Sequence, residues 1–266
     1  MIIETSIITP MYNSEKEIVD TINSVLSQSY KHWELILIDD CSSDRTIEVV
    51  NKFATLDKRI KLLRLEKNSG AAVARNMGIE HSQGRYIAFL DSDDNWSTNK
   101  LTKQVDFMKR NNYKFTYTAY NKVNEQGVLL NKVGVPNRVD YFQLLKTNVI
   151  GCFTVIYDTD FFGKVFMPEI RKRQDFGLWL RLLKKVEFAY GLNECLGEYK
   201  VRSNSVSSNK LNTATYNWKL YREIENLSFI RSCYYFTHYA LKGVIRTKFP
   251  VFAAKIGWIK SQNYES

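Results

Sequence analysis

The chain has 266 residues, 44% of them hydrophobic and 14% aromatic, which supplies a substantial buried core in one large domain or two small ones and excludes a disordered chain. Its four cysteines, Cys41, Cys152, Cys195 and Cys233, form no C-x-x-C pair, so neither a disulfide framework nor a zinc site is signalled and a reducing cytoplasm fits. The net charge of +10 is uneven: residues 1–100 hold 12 Lys/Arg against 15 Asp/Glu and residues 101–266 hold 26 against 13, a basic surface that attracts polyanions such as nucleic acid, anionic lipid or a diphosphate.

Taken in chain order, the first residues lack the basic start, apolar stretch and small-residue cleavage site of a signal peptide, so export is not expected. Thr5–Thr9 is a β-branched run stopped by Pro10, and Ser14–Gln28 then places Ile18, Ile22, Val25 and Leu26 on one helical face. Glu34–Ile38 is apolar enough for a strand buried on both faces, and Asp44–Phe53 follows as a helix with Asp44 as its cap. Ile60–Leu65 predicts a third strand. Ala71–Ser82 predicts a helix ended by Gly84 before the strand Arg85–Leu90. Four strand–helix repeats in about 90 residues imply an α/β fold with a mostly parallel, doubly wound sheet.

Beyond residue 100, Leu101–Arg110 and Phe176–Lys185 predict helices, the latter with Leu178, Leu182 and Leu183 on its apolar side. Phe115–Val123 and Val128–Val133 predict a hairpin around Asn124–Gly127. No stretch approaches the roughly 18 apolar residues of a membrane-spanning helix. The expected organisation is a catalytic domain over 1–212, with residues 1–100 as its ligand-binding half and 101–212 as an α+β half, followed by a basic aromatic helical tail over 213–266.

Sheets of this kind bind ligands at the carboxyl ends of their strands. Those ends carry Pro10-Met11-Tyr12-Asn13, Asp39-Asp40 and Asp91-Ser92-Asp93-Asp94. Three carboxylates within four positions repel one another unless a cation sits among them, and Mg2+ or Mn2+ shared with phosphate oxygens relieves that repulsion. A solvated turn with Asp94 capping a helix near Ser97 accounts for the cluster about as well on local evidence; the buried strand before it favours the cation. Asp39-Asp40 reads either as a ribose or base acceptor or as a turn, Tyr12 as a base-stacking ring or a surface tyrosine, and Arg75 as a phosphate ligand or a surface arginine. His32, His81 and His238 stand alone in the sequence and suggest no metal site or triad.

Together, Ser6–Asn13, Leu37–Asp44, Asn68-Ser69-Gly70 to Ala74-Arg75-Asn76, and Phe89–Asp94 resemble glycosyltransferase family 2 in content, order and spacing over roughly residues 4–205. The resemblance implies a GT-A fold, a nucleotide-sugar donor, a divalent metal and inversion at the anomeric carbon. By the same resemblance Pro10, Tyr12 and Asp40 line a nucleobase pocket, Arg75 stands near base or phosphate, and Asp91 and Asp93 occupy the D-x-D positions, with Asp93 the direct metal ligand and Asp91 nearer ribose and metal. Asp175, in Arg173-Gln174-Asp175-Phe176-Gly177, matches the catalytic base, although Gln174 replaces the family's Glu; Arg202 matches a diphosphate contact.

Small members of such a family add sugars to lipid diphosphate carriers in bacterial surface-polysaccharide assembly. Residues 216–266, with eight Lys/Arg, three Glu and many aromatics, then suggest contact with an anionic membrane from the cytoplasmic side, the competing expectation being helices packed on the domain with a wet basic face. UDP-glucose or UDP-galactose is the expected donor, a lipid-diphosphate-linked sugar the acceptor, and nucleic acid is not an expected partner because acidic strand ends repel phosphate. A metal-dependent nucleotidyltransferase and a non-catalytic nucleotide-sugar sensor stand as alternatives; the former expects a Gly-rich phosphate loop after the first strand, which Pro10–Ser14 does not provide.

Overall fold

The computed structural model describes residues 2–201 and 210–248. Three strand–helix units open the chain: β1 (Thr5–Met11) and α1 (Ile18–Leu26), β2 (Trp33–Asp39) and α2 (Thr46–Leu56), β3 (Ile60–Arg64) and α3 (Ala71–His81). They are followed by β4 (Tyr86–Phe89), the two-residue β5 (Asn95–Trp96) and α4 (Lys100–Asn111). The second half contributes β6 (Phe115–Val123), β7 (Leu129–Val133), β8 (Arg138–Val139), α5 (Tyr141–Lys146), β9 (Ile156–Asp158), α6 (Thr159–Phe162), α7 (Gln174–Leu183) and β10 (Ala189–Lys200). The helical C-terminal part comprises α8 (Lys210–Lys219), a π-helical turn (Leu220–Ile224) and α9 (Phe229–Lys248).

Among the described residues the strands form one sheet in the order β3-β2-β1-β4-β9-β6-β10-β5, with β7 on β6 and β8 on β10. The run β3-β2-β1-β4 is parallel, as the strand–helix repeats require, while β9 enters antiparallel between β4 and β6 and makes the second half mixed. Alternation along the strands divides the core. Ile8, Ile36 and Ile38 pack towards α3 and α7, whereas Ile7, Leu35 and Leu37 pack towards α1, α2 and α4, so β1 and β2 are buried on both faces.

Two local expectations change. Asp44 precedes the first turn of α2 by one position more than expected, with Arg45 between; its carboxylate still accepts the Thr46 N–H at 3.0 Å, and it also takes the Glu15 N–H of the neighbouring loop at 3.1 Å. Asp94 caps no helix: α4 begins at Lys100 with Asn99 at its cap, and the buried Asp94 carboxylate accepts the Lys200 N–H at 3.3 Å.

The helical C-terminal part packs on α5 and α7. The buried Tyr221 donates its hydroxyl to the Leu145 carbonyl at 2.6 Å, and Glu225 accepts from Tyr141 and pairs with Lys184 at 2.7 Å. No described helix is long and apolar enough to cross a membrane.

Candidate active site

The carboxyl ends of β1, β2 and β4 converge on one edge of the parallel half, and side chains from several loops stitch them together. Asn13, in the left-handed region at φ 49°, accepts the Ser43 N–H at 2.9 Å and donates its own N–H to the Ser42 hydroxyl at 2.9 Å. Pro10 lies within β1 beside Ile38, and Tyr12 follows the strand with its side chain exposed, free to offer a ring face. Asp40 is buried. Its two oxygens accept the Ser69 and Gly70 N–H groups at 2.6 and 2.8 Å, which fixes Gly70, at φ 89°, as the turn into α3. This carboxylate holds the loop in front of α3 and retains further lone pairs for a ligand.

The acidic loop after β4 is anchored from α1. The Thr21 hydroxyl lies 3.0 Å from the Ser92 carbonyl and 2.9 Å from that of Asp94, and the Ser14 and Ser92 hydroxyls are 3.0 Å apart. Thr21, Ser14 and Ser92 escaped the sequence reading. The available signal was Thr21 itself, on the same helical face as Ile18, Ile22 and Val25, where a buried hydroxyl must find an acceptor.

Behind the loop, Arg75 is buried on α3 and its Nη2 donates to Asp91 Oδ1 in an ion pair. Burial opposes the guanidinium's charge, but Asp91, Cys152 and Asp175 outweigh it and shift its pKa upward. Arg75 Nε is buried without a protein partner. The Cys152 thiol lies in the same field: burial pushes its pKa well up, Arg75 pulls it down, and Asp91, Asp175 and Asp94 push it further up, so it is a neutral thiol and no nucleophile at neutral pH. Cys152 was not among the residues the sequence singled out. Asp175 is the second residue of α7, where the helix N-terminus favours its negative charge.

The structure thus brings together Asp91, Arg75 and Asp175, with Cys152 among them. Pro10, Tyr12 and Asp40 stand on the adjoining strand ends, while Arg202 and the segment through Ser207 lie outside the described residues. No group of three or more His, Cys, Asp or Glu side chains able to hold a metal occurs among the described residues. Asp91 and Asp93 carry hard oxygen donors, the kind a divalent cation shares with phosphate oxygens and water.

A mixed sheet with a parallel half, and at its strand ends an acidic loop and the buried Arg75–Asp91 pair, is the arrangement of the GT-A fold. The profile of glycosyl transferase family 2 matches residues 6–164, and the chain belongs to that family. It is 48% identical over 240 residues to TuaG of Bacillus subtilis, named for teichuronic acid biosynthesis, covering 90% of this chain and 95% of that protein. It is 39% identical to Escherichia coli WfgD, named UDP-Glc:alpha-D-GlcNAc-diphosphoundecaprenol beta-1,3-glucosyltransferase, over 92% of this chain and 95% of WfgD. Among solved structures, S. aureus TarS 1–349 in complex with UDP-GlcNAc superposes with a TM-score of 0.70 at 21% identity, covering 92% of this chain and 74% of that one, a likeness of fold.

Proposed function

We propose that this glycosyltransferase moves a hexose, with inversion, from UDP-glucose or UDP-galactose to a hydroxyl of a lipid-diphosphate-linked sugar during synthesis of a bacterial surface polysaccharide. The observation that carries the proposal is the grouping of Asp91, Arg75 and Asp175 at the carboxyl ends of the parallel strands. The name of WfgD supports a UDP-glucose donor and a diphospholipid acceptor, and that of TuaG supports a surface polysaccharide.

In this reading Tyr12, Pro10 and Asp40 receive the uracil and ribose. Asp93, with Asp91, would hold Mn2+ or Mg2+, which would supply charge neutralisation for the departing diphosphate. Arg75 orients Asp91 through their ion pair, and Arg202 contacts the diphosphate. Asp175 takes the proton from the acceptor hydroxyl as its oxygen bonds to the anomeric carbon and the bond from that carbon to the UDP oxygen breaks. A single displacement from the opposite face inverts the configuration.

The acceptor's lipid places the reaction at a membrane, and we assign the enzyme to the cytoplasmic face as a peripheral protein. On α9, Ile230, Tyr234 and Leu241 are exposed on one side while Ser232 and Tyr235 on the other are buried against the domain, and Arg231 and Lys242 flank the exposed stripe.

The test is a panel of UDP-sugars with Mn2+ and a synthetic sugar–diphosphate–lipid acceptor, reading product mass and anomeric configuration, with Asp175→Asn in parallel. Inverted product from UDP-glucose or UDP-galactose is expected, and Asp175→Asn loses on the order of 10²- to 10⁴-fold in turnover while still binding UDP. Retained configuration overturns the mechanism, and substantial turnover by Asp175→Asn removes it from the base role.

A further inference from the structure

We infer that Tyr239, on the C-terminal helix α9, is a positioning residue for the turn that carries Asp175 and acts through Arg173; this rests on the proposed role of Asp175 as base. Arg173 stands at the N-cap of α7 in the left-handed region, at φ 67°. For an arginine that conformation is strained and persists only where the surroundings hold it. Its guanidinium Nη2 donates to the Tyr239 hydroxyl at 3.1 Å and lies over the ring, with Cζ 5.6 Å from the centroid. Among the described residues its Nε is buried without a hydrogen-bond partner, and the Tyr239 hydroxyl is the side-chain contact seen for its guanidinium nitrogens. The Arg173 carbonyl in turn accepts the Gly177 N–H at 3.0 Å, closing the turn that contains Gln174, Asp175 and Phe176.

The same turn is pressed from the C-terminal part at a second point. A Cβ on Gly177 would lie 3.3 Å from Leu220 Cδ1, a close contact with the C-terminal part, while the approach that only glycine admits is to Pro168, whose Cγ would be 2.4 Å away. At the other end of α7, Lys184 pairs with Glu225 at 2.7 Å. Both ends of the base-carrying helix are therefore tied to residues 220–239, and the tie nearest Asp175 is the Tyr239 hydroxyl. A carboxylate displaced by about 1 Å can cost up to 10²-fold in rate, so a single hydrogen bond here has catalytic reach.

Tyr239→Phe tests this, because it keeps the ring over the guanidinium and deletes only the hydroxyl; Tyr113→Phe, between α4 and β6 and stacked on Tyr190, is the control. With UDP-glucose and a synthetic N-acetylglucosamine–diphosphate–lipid, kcat is expected to fall on the order of tenfold, with UDP affinity and melting temperature unchanged and the control at parental rate. Hydrogen exchange of the segment 172–180 reads the tie without turnover and is expected to quicken in Tyr239→Phe alone. A kcat within twofold of the parent with unchanged exchange overturns the inference. So does a matching loss of UDP affinity or melting temperature, which marks general loosening. If Asp175→Asn is inactive and Tyr239→Phe is unaffected, the tie alone fails; if Asp175→Asn keeps its turnover, the base reading fails and takes the tie's catalytic purpose with it.

Discussion

Lys100 sets its amine against the face of Trp96, 3.6 Å from the ring centroid, fully buried and without a hydrogen-bond partner. A cation–π contact is worth about 2 kcal/mol, whereas the penalty for a buried ammonium is several, so burial wins and the pKa falls well below the ordinary 10.5. The unfolded lysine holds a proton up to its ordinary pKa while the folded one has released it; stability therefore rises with pH from the depressed value towards 10.5. Lys100→Met is expected to stabilise the fold by about 1–3 kcal/mol at pH 7 and to remove that rise, as thermal unfolding between pH 7 and 10 would show; an unchanged slope would assign it to other groups. Neither this burial nor that of Arg75 was legible in the sequence, because a cation on a predicted helix, or one position before it as Lys100 is, reads as solvated. Arg75 sinks beside Asp91 because Ala72, Ala74 and Gly78 let α3 approach the sheet, and small residues leave only a faint apolar pattern. The acidic residues were legible by type and place, but the commitment of Asp40 to Ser69 and Gly70, and of Asp94 to Lys200, depends on loops brought from 29 to 106 positions away.

At the scale of the element, α1 is both a core helix and the support of the acidic loop. Thr21→Val keeps shape and burial but leaves the Ser92 and Asp94 carbonyls without their donor; a loss of about 1–2 kcal/mol in denaturant unfolding and a several-fold weaker affinity for UDP with Mn2+ are expected. Unaltered UDP affinity would show that the loop holds its shape without α1. The long elements followed from period: β1 to β4, α3, α4 and the pair β6–β7 fall within a few residues of expectation. The two- and three-residue strands β5, β8 and β9 did not, since so short a run carries no period. For α7 the pattern showed one apolar side, Leu178, Leu182 and Leu183, yet Phe176, Gly177, Trp179 and Leu180 are buried as well. The sheet covers one side of that helix and the C-terminal helices another, which a reading of the isolated segment has no means to register.

Over the whole molecule, the basic excess beyond residue 100 and the exposed stripe of α9 set the expected encounter with lipid. The full chain is expected to float with vesicles containing phosphatidylglycerol and to stay behind with phosphatidylcholine alone, and Ile230→Glu with Leu241→Glu is expected to abolish flotation while UDP binding survives. Flotation on neither lipid would count against the membrane assignment. Parallel order in the first half was legible because strand–helix alternation admits few topologies; the insertion of β9 between β4 and β6 was not, because it joins residues 86–88 to 156–158. The pairing of Trp96 with Gly197, and the Lys200 N–H on Asp94, join still more distant parts. A ribosome makes the acidic loop about a hundred residues before it makes the strand that closes it. The nascent chain therefore carries an unfinished acidic loop until β10 has emerged, and under the proposed function competence for the nucleotide arrives late, with the strand that precedes the C-terminal helices.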